Sequence, residues 1–181
     1  SIAIDSNGKA YISYSDYFYN DLRLATNLSG SAWNAGWGSV ALDSAGIVGA
    51  LTSIALDSTG VVHVAYYDTT NTDLKYATHT FSGTSFGTTV AQTVDSTGDV
   101  GSDLGMALDA NRKAHIAYTK MGNMAFTLRY ANNTSGSFVT TDADTSGNVG
   151  VTCDITITTD GKVHSSYTDS TNNDLKYATG D

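Results

Sequence analysis

The 181-residue chain repeats itself four times, and this periodicity constrains its fold more than any other feature. The segment Ser53-Ile-Ala-Leu-Asp-Ser-Thr-Gly60 has counterparts that begin at Ser1, Gly105 and Asp154. Each copy continues with a block that ends in tyrosine and then a block with the pattern Leu-Lys/Arg-x-Ala. A looser fourth block follows in the first three copies, whereas the fourth copy stops before it. The copies begin about 50 residues apart, and self-similarity at this spacing indicates one supersecondary unit per copy.

Every block has the pattern of a β-strand. Val62, Val64 and Tyr66 alternate with His63 and Ala65, which is the period of two that a strand requires. Turn-forming triplets such as Ser-Asn-Gly and Ser-Thr-Gly separate the blocks. The chain has 18 glycines, no proline and no glutamate, so its composition is poor in helix formers and rich in turn formers. These features predict an all-β fold.

Four short strands in a unit of about 50 residues, repeated side by side, are typical of propeller blades. We therefore predict a β-propeller of four-stranded antiparallel blades. The repeats span residues 1–52, 53–104, 105–153 and 154–181, and the last one lacks its outer strand. The chain is then a single propeller domain or part of one.

The segment from Ser53 to Tyr66 resembles the first hairpin of NHL-type and related secreted bacterial propeller repeats. Those repeats have a short apolar strand, an aspartate, a glycine turn and a second strand. The resemblance covers each copy and implies that the first block forms the innermost strand, which lines a central channel. It also implies that the fourth block is outermost, and it carries no expectation about activity.

The missing outer strand leaves the closure of the ring open. Four blades could close alone, or the chain could be half of an eight-bladed ring that a second copy or a further segment completes. We favour an incomplete ring, and a homodimer is the partner arrangement that follows from it. Because the chain opens at Ser1 without methionine, we also expect it to be a processed or excised piece.

Charge and cysteine content limit the partners. The net charge of −9 argues against nucleic acid, since a phosphate-binding surface needs clustered lysine and arginine. No apolar run approaches the ~20 residues needed for membrane insertion. The single cysteine, Cys153, lies in apolar company and has no internal partner for a disulfide, so we interpret it as a small buried hydrophobe. Strand-built repeats rich in Asp, Ser and Thr suit a secreted or cell-surface protein.

Aspartates dominate two classes of loop that propeller geometry places at one rim. One class joins the second and third strands of a blade, and the other joins one blade to the next. The candidate ligand-binding residues on this rim are Asp16, Asp21, Asp68, Asp73, Asp95, Asp99, Asp103, Asp169 and Asp174. The competing interpretation is that these carboxylates satisfy local backbone N–H groups in turns. No metal site is predicted, and Ca²⁺ is the one cofactor that the spacing of the aspartates leaves open.

Aromatic and histidine positions add two further expectations. Trp33 and Trp37 occur only in the first copy and are candidates for stacking on a sugar, with packing of the outer strand as the alternative. The recurrence of His63, His115 and His164, with Tyr11 in the first copy, favours a structural hydrogen bond over metal ligation.

No catalytic motif is present: the chain lacks a Gly-x-Ser-x-Gly elbow, a His-Glu-x-x-His pair and the Asp box of sialidase-like propellers. We therefore predict a non-catalytic extracellular module, with lectin-like character, that binds a glycan or a protein. A self-assembling structural protein is the first alternative. A polysaccharide hydrolase or lyase that uses the rim aspartates is the second.

Overall fold

The computed structural model describes residues 1–27, 36–83, 85–122 and 125–180, and in these ranges the chain is all β with no helix. Fifteen strands form four antiparallel sheets. Sheet 1 contains β1 (Ile2–Ile4), β2 (Ala10–Asp16), β3 (Asp21–Asn27) and β4 (Trp37–Asp43). Sheet 2 contains β5 (Val48–Leu56), β6 (Val62–Asp68), β7 (Asp73–Ser82) and β8 (Ser85–Asp95). Sheet 3 contains β9 (Asp99–Leu108), β10 (Ala114–Met121), β11 (Phe126–Asn132) and β12 (Val139–Asp144). Sheet 4 contains β13 (Val149–Ile157), β14 (Val163–Asp169) and β15 (Asp174–Gly180).

Within each sheet the strands pair in chain order, as the repeat predicts. The first strands of successive sheets are neighbours, since β1 contacts β5, β5 contacts β9, and β9 contacts β13. Over the residues that the structure describes, the four sheets do not close into a ring. The result is a series of four sheets with one free face at each end.

The first hairpin of a sheet is closed by an aspartate side chain. The Oδ1 atom of Asp57 accepts hydrogen bonds from the backbone N–H of Thr59, at 2.8 Å, and of Val61, at 3.0 Å. Asp5 and Asp109 do the same in sheets 1 and 3. A short carboxylate that bonds backbone two and four residues ahead fixes the tight turn, which explains the recurring Asp-x-x-Gly or Asp-x-x-Arg pattern.

The first strands of sheets 2, 3 and 4 begin earlier than their sequence suggests. Asp43 to Gly49 has the composition of a loop, yet β5 starts at Val48, with a register shift before Ser53. Gly49 has φ +90°, and a Cβ atom built on it would lie 2.7 Å from the Cα of Leu22. A glycine is thus required there because the backbone of sheet 2 lies directly on a leucine of sheet 1.

Apolar side chains fill the three spaces between neighbouring sheets. Each space receives a leucine from the third strand of the earlier sheet. These leucines are Leu22 of sheet 1, Leu74 of sheet 2 and Leu128 of sheet 3. The facing sheet contributes Val48, Val100 or Val149, and all six of these side chains are buried. Cys153 belongs to the third space, which confirms the interpretation of this thiol as part of the core. Burial raises the pKa of Cys153 to about 12, with the Asp103 and Asp154 carboxylates adding to the effect.

The recurring histidines form hydrogen bonds, as predicted. His63 Nδ1 lies within hydrogen-bonding distance of the Tyr76 hydroxyl, and His115 Nδ1 is 2.5 Å from the Tyr130 hydroxyl. In sheet 1 the hydroxyl of Tyr11 takes the histidine's place and donates to Asp5 at 3.4 Å. These contacts tie the second strand to the third strand or to the first hairpin.

Stability is expected to fall as the pH drops below 6.5, because burial lowers the pKa of His63, His79 and His115. In the unfolded chain these imidazoles take up protons near pH 6.5, whereas in the fold they stay neutral to lower pH. The unfolded state therefore binds more protons in this window, and the stability present above pH 6.5 is lost on acidification. Thermal unfolding should shift downward by roughly 5 °C between pH 7.5 and pH 5. The His63→Gln variant should show a shallower slope, and an unchanged slope would contradict this origin.

Candidate functional site

The two predicted classes of loop do meet at one edge of the sheets, which we call the rim. The backbone N–H of Thr69, in the β6–β7 turn, donates to the carbonyl of Ile47 in the connection between sheets 1 and 2, at 2.9 Å. The N–H of Ile47 donates in return to Oγ1 of Thr70 at 2.7 Å. Asn148 and Thr171 repeat the second contact between sheets 3 and 4. The rim is therefore a set of mutually bonded turns.

Three of the predicted ligand residues cap these turns. Asp68 is buried, and its Oδ1 atom accepts from the N–H of Thr70 at 3.0 Å and of Asn71 at 3.1 Å. Asp169 caps the β14–β15 turn in the same way. Asp16 accepts from the N–H of Phe18 and of Tyr19 at 3.0 and 3.3 Å. These contacts occupy one oxygen of each carboxylate with the local backbone, which is the competing interpretation given above.

A second set of aspartates joins one sheet to the next. Asp95, at the end of β8, is buried and accepts from the Tyr118 hydroxyl of sheet 3 at 2.6 Å. The guanidinium of Arg129, also in sheet 3, contacts the same oxygen of Asp95. Asp43 with Tyr66 and Lys75, and Asp144 with Tyr167 and Lys176, repeat this group of three at the neighbouring interfaces. Each group is a structural bridge between sheets, in which a tyrosine hydroxyl donates to the aspartate of the preceding sheet.

The bridging carboxylates are held in their ionised form. Burial acts to raise the pKa of Asp95, but hydrogen bonds from Tyr118 and Thr97 and the charge of Arg129 outweigh it. The pKa of Asp144 is likewise held below its usual range by Lys176, Ser146 and Tyr167, against the effect of burial. An ionised acceptor makes both the tyrosine and the cation contact stronger.

The remaining predicted residues are dispersed along the rim or lie away from it. Asp99 accepts from the Tyr67 hydroxyl at 2.8 Å, and Asp103 lies farther along β9. Asp21, Asp73 and Asp174 each begin a third strand opposite the capping aspartate of the same turn. In the described ranges, no three acidic, histidine or cysteine side chains are placed to hold a metal ion. Trp37 lies at the opposite end of β4 from Asp43, and Trp33 lies outside the described residues.

The first turn of the rim differs from the others in chemistry. Tyr17, Phe18 and Tyr19 stand where the β6–β7 turn has Thr69-Thr70-Asn71 and the β14–β15 turn has Ser170-Thr171-Asn172. Tyr17 is 95% exposed and Phe18 is 83% exposed. The rings of Phe18 and Tyr19 pack edge to face with their centroids 4.8 Å apart. Three adjacent aromatic rings in solvent are unusual on a polar rim and mark a contact surface.

A groove of about 540 Å³ opens beside this turn, between sheets 1 and 2. Tyr17 forms part of one wall, and the exposed side chains of Ile47 and Leu51 belong to the other. Leu51 has φ +50°, and Thr152 at the same position of sheet 4 has φ +56°, so this left-handed conformation belongs to the irregular register at the start of both strands. Hydroxyl and amide groups complete the lining: Ser13, Ser15, Asn20, Thr52 and Thr69.

Comparison with solved structures finds chains of similar fold. The fold is similar to that of a fucose lectin from Kordia zhangzhouensis, solved in complex with methyl-fucoside. The TM-score is 0.47 and the sequences are 18% identical, over 77% of this chain and 95% of the lectin chain. No protein-family model matches the sequence, and no curated protein matches it significantly. The resemblance to NHL-type propellers therefore stays a prediction.

The groove beside the aromatic turn was not among the predicted sites. The signal that could have revealed it is a departure from the repeat, because Tyr17-Phe18-Tyr19 stands where the second and fourth copies have small polar residues. The aspartates are predicted as ligand residues because they recur from copy to copy. In the structure, however, the recurring aspartates cap turns or bridge neighbouring sheets.

The described part of the chain contains no helix with the length and apolarity that spanning a membrane requires.

Proposed function

We propose that the chain is a non-catalytic binding module whose four sheets are blades of a β-propeller, and that its ligand is a glycan. The observation that carries this proposal is the exposed turn Tyr17-Phe18-Tyr19 beside a groove lined with hydroxyl and amide groups. A scaffold of bonded turns holds that turn in place through the Asp16 cap. In keeping with an extracellular ligand, we propose that the module acts on the cell surface or after secretion.

A sugar presents an apolar C–H face and a ring of hydroxyls, and the groove offers a counterpart to each. Tyr17 supplies an aromatic face with a polar tip, which suits contact with a partly wetted ligand. The side chains of Ser15, Asn20 and Thr69 can donate and accept hydrogen bonds with sugar hydroxyls. A volume of about 540 Å³ lies within the range of small-ligand sites and can hold a mono- or disaccharide.

The charge of the chain indicates which glycans fit. With a net charge of −9, the surface repels sulfated and sialylated sugars at low ionic strength. The groove itself is lined by neutral side chains, apart from the chain's first amino group. We therefore propose that the groove binds neutral sugars. Because such a ligand carries no charge, its binding should vary little with salt concentration.

Replacing Tyr17 with alanine is expected to weaken sugar binding about tenfold, since loss of an aromatic contact costs about 1.4 kcal/mol. An array of neutral and acidic glycans would first identify the sugar, and isothermal titration with its smallest binding fragment would then give the dissociation constant. Val90→Ala is the control, because Val90 is an exposed apolar residue of β8 that belongs neither to the groove nor to the free faces of sheets 1 and 4. If no neutral glycan binds, or if both variants bind like the parent chain, this function is wrong.

A further inference from the structure

The free face of sheet 4 exposes Leu175 and Tyr177, whose counterparts in the other sheets are buried or half-buried. Leu175 is 78% exposed, whereas Leu22, Leu74 and Leu128 at the same position of sheets 1 to 3 are buried. Tyr177 is 61% exposed, although its counterpart Tyr76 is buried. In sheets 1 to 3 this face is covered by the following sheet, so the exposure in sheet 4 marks an interface without its second half.

Sheet 1 shows the complementary pattern on its opposite face. Ile2 is 59% exposed, whereas Ile54, Met106 and Ile155 at the same position of sheets 2 to 4 are buried against the preceding sheet. Trp37 is also exposed. This exposed face of sheet 1 is therefore of the kind that covers the third strand of the preceding sheet elsewhere, and the free face of sheet 4 has no such cover.

The register of the outer strands suggests how the two faces fit. Trp37 pairs with Asn27, and continuing the β11–β12 register by one residue gives Phe138 the same position in sheet 3. Phe138 packs on Tyr76 of the preceding sheet with ring centroids 5.0 Å apart. Tyr177 is the counterpart of Tyr76 in sheet 4, so Trp37 and Tyr177 are matched partners by position.

We propose that sheet 1 of a second copy of this chain packs on the free face of sheet 4. The contact repeats, residue for residue, the apolar packing that the chain already makes three times between its own sheets. It buries Ile2 and Trp37 of one copy against Leu175 and Tyr177 of the other. A second copy is the occupant because sheets 1 and 4 of one copy do not meet in the described part of the structure.

The contact is heterologous, since different faces of the two copies meet. Two such contacts close a ring of eight sheets from two chains. Arg23 of sheet 1, which stands where Arg129 stands in sheet 3, lies 3.7 and 3.9 Å from Asp16 and Asp21 of its own sheet, so it has partners without the second copy. The contact between copies therefore rests on apolar packing and should be reversible.

Light scattering on the 181-residue chain over a range of concentrations tests the proposal. We expect a mass of twice 18.9 kDa at the higher concentrations. Leu175→Asp and Ile2→Asp should each raise the dissociation constant of self-association roughly tenfold or more, because a buried carboxylate without a partner is costly. Both residues are exposed in the single chain, so the variants should fold, as circular dichroism can verify. A monomer at all concentrations, or association that neither variant weakens, would overturn the proposal.

Mixing the two variants tests the head-to-tail arrangement. Leu175→Asp keeps an intact sheet 1 face, and Ile2→Asp keeps an intact sheet 4 face. Their mixture should form a 1:1 complex through one remaining interface, whereas a contact between identical faces would not be rescued by mixing. Tyr17→Ala serves as a control that leaves association unchanged. Failure of sugar binding and failure of association are thus read out by separate residues.

Discussion

Replacing Asp95 with alanine is expected to lower the free energy of unfolding by about 3 kcal/mol, which is among the largest effects of a single substitution at the rim. Asp95 accepts from Tyr118 and contacts the guanidinium of Arg129, and all three side chains are largely buried between sheets 2 and 3. Removing the carboxylate leaves the buried Tyr118 hydroxyl without its acceptor, and it leaves Arg129 with only Thr97 and the half-exposed Asp142 as partners. Urea denaturation of the parent and variant chains, at one protein concentration, measures the difference.

Asp142→Ala is the matched control for this substitution. Asp142 also contacts Arg129, with its Oδ1 atom 2.8 Å from Nε, but its side chain is about half exposed. An exposed ion pair contributes little, so the loss should stay below about 1 kcal/mol. Equal losses of stability for the two variants would show that Asp95 acts as an ordinary surface charge. Asp95 would then again be a candidate for binding a ligand at the rim.

The role of Asp95 also bears on experiments that seek a ligand at the rim. A substitution at Asp43, Asp95 or Asp144 disturbs the contact between two sheets, so a loss of binding in such a variant does not identify a ligand residue. The exposed Tyr17 is a better probe, since it lies at the rim outside these bridges.

The sequence predicts the strands of this fold well because local signals and the repeat agree. The alternation in Val62–Tyr67 predicts β6, and the Asp-x-x-Gly turn before it predicts the hairpin, a pattern that the first copy repeats. Prediction is weaker where a tertiary contact decides the local conformation. Gly49 looks like part of a loop because nothing in its neighbourhood reveals that Leu22 lies against it.

The candidate site is harder to predict for a related reason. Asp68 caps a turn, whereas Asp95 bridges two sheets, although both are aspartates in similar loop sequences. The two roles differ only in the residues that contact each carboxylate in three dimensions. The groove beside Tyr17 combines side chains from sheets 1 and 2 that are more than 30 residues apart in sequence, such as Tyr17 and Leu51. Strand periodicity places each residue on a face, but it does not report which neighbouring loop stands across from it.

Replacing Gly49 with alanine is expected to lower the free energy of unfolding by about 3 kcal/mol. Gly49 has φ +90°, a conformation that costs about 1–2 kcal/mol for a residue with a side chain. The added methyl group would also lie 2.7 Å from the Cα of Leu22 and 2.9 Å from its Cβ, so sheets 1 and 2 must move apart. Such overpacking adds about 1–3 kcal/mol. Thermal and urea unfolding of the variant measure the sum.

Gly60→Ala separates the two contributions to this loss. Gly60 has a similar φ of +83°, but a Cβ atom there would meet nothing within 4 Å because the β5–β6 turn faces solvent. This variant should lose only the backbone contribution, about 1 kcal/mol. The difference between the variants then reports the close approach of β5 to Leu22, which is the contact that sets the spacing between sheets. Equal losses would mean that sheet 2 can shift away from sheet 1 at little cost, and the stacking of sheets would then rest on the apolar side chains and the aspartate bridges alone.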